Sequence, residues 1–183
     1  TLALTGTLSG DLTVASGASL TGGGTASGNT SLAGTLAPGS GVGTLTTGPL
    51  VLQTGCTIEW QAADWTGAAG TGGDLVSAAA LDLTAATSIT LALKEESLAN
   101  FTDSPATFTV LQSATAVTGF DAGKFLIDAS AFPQAPGHWA ARERVALEGP
   151  KGRLEEVAIL GPLRPRLQAE VSRSDSFVLG IDV

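Results

Sequence analysis

The feature that most constrains this chain is the way its first sixty residues are cut up. Short alternating runs, Asp11-Leu12-Thr13-Val14, Ala18-Ser19-Leu20, Thr30-Ser31-Leu32 and Leu50-Val51-Leu52, are separated by Ser16-Gly17, Ser27-Gly28-Asn29 and Pro38-Gly39-Ser40-Gly41. Alternation with period two places Leu12 and Val14 on one face and Thr13 on the other, the pattern of a half-buried strand. Glycine in the breaks supplies the positive φ that tight turns need. Strands this short are not stable alone, but successive coils that pair edge to edge and cover one another's apolar face are. The triplet Gly-Thr-Leu recurs at residues 6–8, 34–36 and 43–45, a loose repeat of the kind stacked coils produce. A helical reading fails, since Gly and Thr are too frequent and no apolar stripe of period 3.6 persists.

The same language continues with longer runs. Thr57-Ile58-Glu59-Trp60 alternates, residues 67–73 form a small-residue loop, and Asp74-Leu75-Val76, Leu81-Asp82-Leu83 and residues 88–93 follow as strands. Ala78-Ala79-Ala80 reads as strand or turn within β-type surroundings. Lys94-Glu95-Glu96-Ser97-Leu98 is locally polar and reads as an exposed loop or single turn. Residues 108–111 form a strand, and residues 120–128 give a turn and another strand. Near residue 134 the composition changes. Residues 1–137 carry ten acids and two bases, whereas residues 138–183 carry seven of each, so the net charge of −8 lies wholly in the first part. Strands are expected at residues 142–148, 154–160, 167–172 and 177–181, turning at Gly-Pro corners as in a small β-barrel or sheet. The expected domains are 1–133 and 134–183.

Two family resemblances fall on these two parts. Gly17-Ala18-Ser19-Leu20-Thr21-Gly22, residues 28–39 and Gly43-Thr44-Leu45, with the later Asp74-Leu75-Val76, Phe108-Thr109-Val110-Leu111 and Thr118-Gly119-Phe120-Asp121, resemble the autotransporter-associated β-strand repeat over about residues 5–132. That resemblance implies a parallel β-solenoid displayed outside a Gram-negative cell. The outer-membrane barrel that some relatives carry is missing from this sequence. Glu143-Arg144-Val145, Gly149-Pro150-Lys151-Gly152, Ile159-Leu160-Gly161-Pro162, residues 170–175 and Leu179-Gly180-Ile181 resemble part of the PduL-type phosphate propanoyltransferase family over about residues 136–182. That resemblance implies a zinc-dependent phosphotransacylase of bacterial microcompartments. The family's paired-histidine zinc motifs have no counterpart here, and the stretch in which the family places its phosphate-binding arginine has none either, so no catalytic position carries over.

Chemistry is sparsely signalled otherwise. Zinc catalysis needs three protein ligands and an open position, and the sequence has one histidine, His138, read as a surface or partly packed side chain. No Gly-x-Ser-x-Gly nucleophile elbow is evident. Glycoside cleavage needs two carboxylates across a cleft. Glu59 and Asp64 beside Trp60 and Trp65 are the candidate glycan-binding group, although the same residues read as two tryptophans packing a coil end with solvated acids, and the lack of a matching polar cluster favours that second reading. Gly70-Thr71-Gly72-Gly73-Asp74 faintly suggests a calcium-binding loop, better explained as a tight turn before a strand. The threonines fall at uneven intervals, which argues against the flat array of an ice-binding face. Arg164-Pro165-Arg166 reads as a rigid exposed corner. The one cysteine, Cys56, lies in an apolar run and reads as a small buried hydrophobe, with no internal disulfide open to it.

The acidic balance argues against nucleic acid and against anionic lipid. No signal peptide or membrane span is visible, and the pattern opens in mid-repeat, as a mature fragment whose targeting signal had been removed would. The sequence alone therefore predicts an all-β chain, a right-handed parallel β-solenoid with a small C-terminal β-appendix. It would be a non-catalytic structural or adhesive element on or outside a Gram-negative surface, without cofactors. It would associate with itself, with a neighbouring surface protein or with glycans. The rivals are a carbohydrate-binding or carbohydrate-cleaving β-helix and an inactive fragment of a zinc phosphotransacylase.

Overall fold

The computed structural model describes residues 1–100, 106–115, 117–131, 144–147, 167–172 and 176–181. These residues are all-β apart from one 3-10 turn at Ala122–Lys124. One sheet has six strands in the order β1 (Leu2–Ala3), β4 (Ser19–Gly22), β7 (Thr35–Pro38), β9 (Cys56–Asp64), β11 (Ile89–Ala99) and β13 (Phe125–Ala131). The second begins with β2 (Thr7–Leu8), β5 (Thr25–Ala26), β8 (Thr44–Leu52), β10 (Leu75–Asp82) and β12 (Ala106–Ser113). Beside β5, β3 (Leu12–Val14) pairs with β6 (Thr30–Leu32), and β6 pairs with β8. Every strand pair up to β13 is parallel, and each strand joins not its predecessor but a strand further back in the chain, the stretch between two facing positions being one circuit.

The register explains the core. Leu2, Leu20, Leu36, Ile58, Leu91 and Ile127 fall opposite one another on successive strands of the first sheet. The separations are 18, 16, 22, 33 and 36 residues, so from the second circuit on the length grows while one aliphatic column is kept. Leu20, Leu36, Ile58 and Leu91 are buried. A second column, Leu45, Val76 and Leu111, lies on the other sheet, equally buried. Burying a Leu, Ile or Val side chain stabilises by about 1.5–3 kcal/mol, so these columns hold the circuits together.

The outward positions are also stacked. Ser19, Thr35, Thr57 and Thr90 form one hydroxyl ladder, and Thr7, Thr25, Thr46 and Ser77 another. Intervals that are uneven along the sequence therefore become one residue per circuit in space, because the extra length is absorbed in loops.

Strand boundaries depart from expectation in two places. Residues 44–52 are one strand. Its first half pairs with β5 and its second with β6, and the join passes over the buried Gly48, where a Cβ would press on the carbonyls of Ser27 and Gly28. Residues 94–98 are not a loop. They continue β11, with Lys94 opposite Gln61 and Glu95 opposite Ala62. A polar sequence is compatible with a strand there because Lys94 pairs with Glu59 on the neighbouring strand. Ala78-Ala79-Ala80 lies inside β10.

In the C-terminal part, β16 (Ser176–Ile181) runs antiparallel to β12, β15 (Leu167–Ser172) antiparallel to β16, and β14 (Arg144–Leu147) parallel to β15. The second sheet thus reaches ten strands. The strand expected at 154–160 lies outside the described residues, as does the boundary near residue 134.

Candidate functional site

Strand β9 separates what its sequence seems to join. Cys56, Ile58, Trp60 and Ala62 point inward and are buried, while Thr57, Glu59 and Gln61 point outward. Trp60 and Glu59 are neighbours in sequence and therefore lie on opposite faces of the sheet. The Trp60 ring packs 4.9 Å from that of Phe108, and Trp65 meets Phe108 edge-on at 5.3 Å. The Trp60 indole Nε1–H donates to the backbone carbonyl of Asp74 at 2.9 Å. Gly73 lies against the indole so closely that a Cβ there would come within 2.6 Å of Cζ2. With Trp60 1% and Trp65 7% exposed, neither presents a ring face on which a sugar could stack.

The two acids of the candidate group are engaged elsewhere. Glu59 Oε2 accepts from Lys94 Nζ at 2.7 Å on the outer face of the first sheet. Asp64 closes β9 as a corner. Its Oδ1 accepts from the Thr66 amide and hydroxyl and from Asn100 Nδ2, and the Asn100 bond foremost holds its carboxyl below the usual range. The same corner recurs where β10 ends, with Asp82 Oδ1 accepting from the amide and hydroxyl of Thr84, and the same local bond, without a corner, lies inside β13, where Asp128 accepts from the Ser130 amide. These turns were legible as the spacing Asp-x-Thr/Ser, which sequence reasoning had passed over.

What sequence reasoning missed about Asp74, read there only as the end of a glycine-rich turn, is its buried, doubly bonded carboxylate. The residue is 1% exposed, and its two carboxylate oxygens accept from two backbone amides far apart in sequence, Gly43 N–H at 2.8 Å and Gln61 N–H at 3.0 Å. Burial pushes its carboxyl up to about 7 against the pull of those two bonds, with Glu96 and Glu59 adding repulsion. Both oxygens face donors, which is the arrangement of a structural carboxylate and not of a calcium ligand. The loop before it is built for tightness, with Gly70 at φ +81° and its amide bonded to the Gly73 carbonyl.

Cys56 is fully buried, and desolvation raises its thiol to about 11, so it is a poor nucleophile and a poor ready-made metal ligand. Among the described residues no group of three or more His, Cys, Asp and Glu side chains is placed to hold a metal ion. His138 and Arg164 to Arg166 lie outside those residues. The donor set described does not fit a catalytic zinc. Among the described residues no helix is long and apolar enough to cross a membrane.

Comparison with known proteins bears on the C-terminal part. A sequence model of the phosphate propanoyltransferase family matches residues 110–183. Phosphate propanoyltransferases of Rhodopseudomonas palustris, Klebsiella pneumoniae subsp. pneumoniae and Thermotoga maritima are 59%, 56% and 52% identical to this chain over 46 residues. The matched stretch is 25% of this chain and 20–22% of the relatives, so the chain spans about a fifth of the length of the curated proteins it matches. No solved structure matches.

These findings correct the functional expectation. The resemblance drawn for residues 136–182 is supported, whereas the autotransporter repeat resemblance drawn for residues 5–132 finds no support. The expectation of a non-catalytic structural or adhesive element, adhesin or filament is overturned, because the matched proteins are named for an acyl transfer reaction. The extracellular or cell-surface placement rested on the repeat resemblance and falls with it. The match also begins at Val110, within β12, so it reaches into the parallel sheets and not only into the segment after residue 134.

Proposed function

We propose that this chain carries part of an acyltransferase of the phosphate propanoyltransferase type. In that reaction a phosphate oxygen bonds to the propanoyl carbonyl carbon and the acyl group's former partner leaves. The observation that carries the reading is 52–59% identity over 46 residues to enzymes from distant bacteria. Identity at that level reflects a common fold and packing environment for the segment. No catalytic residue of this chain is assigned.

Residues 1–133, on this reading, are a right-handed parallel β-solenoid, and residues 134–183 a separate β unit mounted on it. Support for the coil comes from the regular return of the chain to the same two sheets and from the aliphatic column kept on each of them. Right-handed crossover is the general preference for parallel connections. The coil's register is testable with paired cysteines, Thr35→Cys with Thr57→Cys and Thr57→Cys with Thr90→Cys, which occupy facing positions. Both pairs should oxidise to intramolecular disulfides, and failure of both would refute the coil.

The acyltransferase reading is tested by a graft. The 46 matching residues of the Thermotoga maritima enzyme are replaced by those of this chain, and phosphate-dependent thiol release from propanoyl-CoA is followed. Activity within about tenfold of the parent is expected, since a compatible repacking costs little. A chimera that folds with the parent's melting temperature but has no activity would sink the proposal. A tryptic peptide covering Phe125 to Arg142, released by cleavage after Lys124 and Arg142, shows separately that both parts share one polypeptide.

A further inference from the structure

Successive circuits touch backbone to backbone at several corners, and that contact decides where glycine is needed. A Cβ at Gly24 would run into the Gly6 carbonyl oxygen, one at Gly28 into that of Gly10, and one at Gly48 into those of Ser27 and Gly28. None of these three glycines has a positive φ. The close approach of the circuit before, and not backbone conformation, excludes a side chain there. Gly6 has neither reason. It stands opposite Gly24, one residue before the facing pair Thr7 and Thr25. Its φ is not positive, and nothing lies within 4 Å of the Cβ it lacks.

Gly6 opens onto the far edge of β1, β2 and β3, outside the residues matched to the acyltransferase family. β1 ends the first sheet, β2 ends the second, and β3 pairs with β6 alone among the described residues. Such an edge presents a row of unpaired backbone N–H and C=O groups. The aliphatic columns are open at the same place. Leu2 is 41% exposed, whereas Leu20 and Leu36, which follow it in its column, are fully buried. Leu8 and Leu12 are half-buried, whereas Ala26 and Thr30 opposite them are buried. Asp11 is the one charged side chain in residues 1–18, and its Oδ1 accepts from the Asn29 amide and side chain of the next circuit. An apolar, neutral edge of this kind fits an occupant that brings leucines and its own backbone donors and acceptors.

We propose that the edge of β1, β2 and β3 is a docking surface for one further circuit of parallel β-strand, presented by a partner polypeptide with leucines inward and small residues at its corners. The added circuit continues an interface the molecule already uses, since each circuit of this part lies parallel on the one before it and adds one residue to each column. Its backbone fills the space beside Gly6. A second copy of this chain, joined head to tail, does not match. β1, β2 and β3 belong to one circuit and need strands offered at one level. At the opposite end β13 closes the first sheet, whereas β16, β15 and β14 extend the second beyond β12. That is a step of three strands, about 14 Å at roughly 4.8 Å per strand.

The probe is a synthetic peptide with the sequence of residues 1–18, titrated onto the full chain. At saturation, amide hydrogen exchange across residues 2–14 should slow by about tenfold or more, while β10 keeps its rate. Gly6→Ala should leave the melting temperature of the chain alone unchanged, because its methyl group meets nothing, yet weaken peptide binding by about tenfold. A second form removes the dependence on peptide affinity: residues 1–18 duplicated ahead of Thr1 deliver the same circuit at high local concentration. In that chain the Gly6→Ala change, made in the original copy, should lower the melting temperature by several degrees. Absence of added protection at residues 2–14 in both forms would overturn the proposal. So would equal binding of a scrambled peptide, or a Gly6→Ala change that is silent in both forms. Dimers of the unaltered chain that protect residues 2–14 as its concentration rises would also overturn it, by giving the edge to a second copy.

Discussion

The first fifty-five residues and the next seventy-six build the same parallel ladders by different means. The early circuits are 16–22 residues long, with strands of two to four residues before β8, and they contain one charged residue, Asp11. The later circuits take 33–36 residues, with strands of seven to eleven, and residues 56–131 contain eleven charges. Early corners turn on glycine and on backbone bonds between circuits, such as Gly24 N–H to the Leu4 carbonyl and Thr25 N–H to that of Gly6. Later corners turn on Asp side chains. The inner column is the same in both, so the apolar register is what the fold conserves, while the corner chemistry is free to change. The consequence is that pH sensitivity belongs almost wholly to the later circuits.

The largest effect is expected where the later circuits use bulk in place of repetition. Trp60→Ala removes a fully buried indole, its contact with Phe108 and its bond to Asp74, and should cost about 3–5 kcal/mol in denaturant unfolding. An early-circuit Leu36→Ala should cost less, toward the low end of about 2–5 kcal/mol. If Leu36→Ala proved the more damaging, the aromatic cluster would not be the centre of stability.

Gly22 tests the early corners. It has φ +104°, and a Cβ there would run into the Leu4 carbonyl oxygen of the circuit before it. Gly22→Ala should cost about 2 kcal/mol or more, because conformational strain and steric overlap act together. Gly55→Ala has a positive φ but open space around it, and should cost less. Equal costs at the two positions would mean that conformation alone, not the close approach of circuits, makes glycine necessary.

A gain of stability is expected at Thr30. Its hydroxyl is buried in the column of Leu12, Leu50 and Leu81 without a hydrogen-bond partner among the described residues. Thr30→Val keeps the shape, removes the unmet polar group, and should stabilise by about 1 kcal/mol. A loss would show that the hydroxyl is satisfied in solution, by an internal water for example.

How far the sequence exposed all this depends on the kind of signal. The aliphatic columns were visible as period-two runs, and the parallel all-β outcome with them. The fusion of residues 44–52 was not, because Gly48-Pro49 reads as a break locally and only the Gly28 corner of the previous circuit shows why a strand passes through it. Residues 94–98 were misread for a similar reason: Lys94 looks solvated until Glu59 is placed opposite Ala92, two residues before it on the same face. Trp60 and Glu59 looked like one site because adjacency in sequence is read more readily than alternation. In the C-terminal part the balance is reversed. The letters at 143–145, 149–152 and 170–175 point to a named family, but nothing in them gives the pairing of β16 with β12.

The smallest effects separate the charges of the later circuits by sign. Asp82 is held below its ordinary value first by the Thr84 hydroxyl and then by the Thr84 amide, with Thr118 and Lys124 assisting. Its contribution is therefore present above the unfolded value of 3.8 and is lost as pH falls through its folded value, opposite in direction to Asp74. Asp82→Ala should flatten the acid limb of a stability profile while leaving the alkaline limb alone. At neutral pH it should cost at most about 1 kcal/mol, since the group is largely solvated. Lys94→Ala should cost less still, about 0.5 kcal/mol or under, because its pair with Glu59 is more than a quarter exposed on both sides and competes with water. A much larger loss on Lys94→Ala, undone by Glu59→Gln in the double mutant, would mean that Lys94 chiefly offsets the carboxylates crowding Asp74.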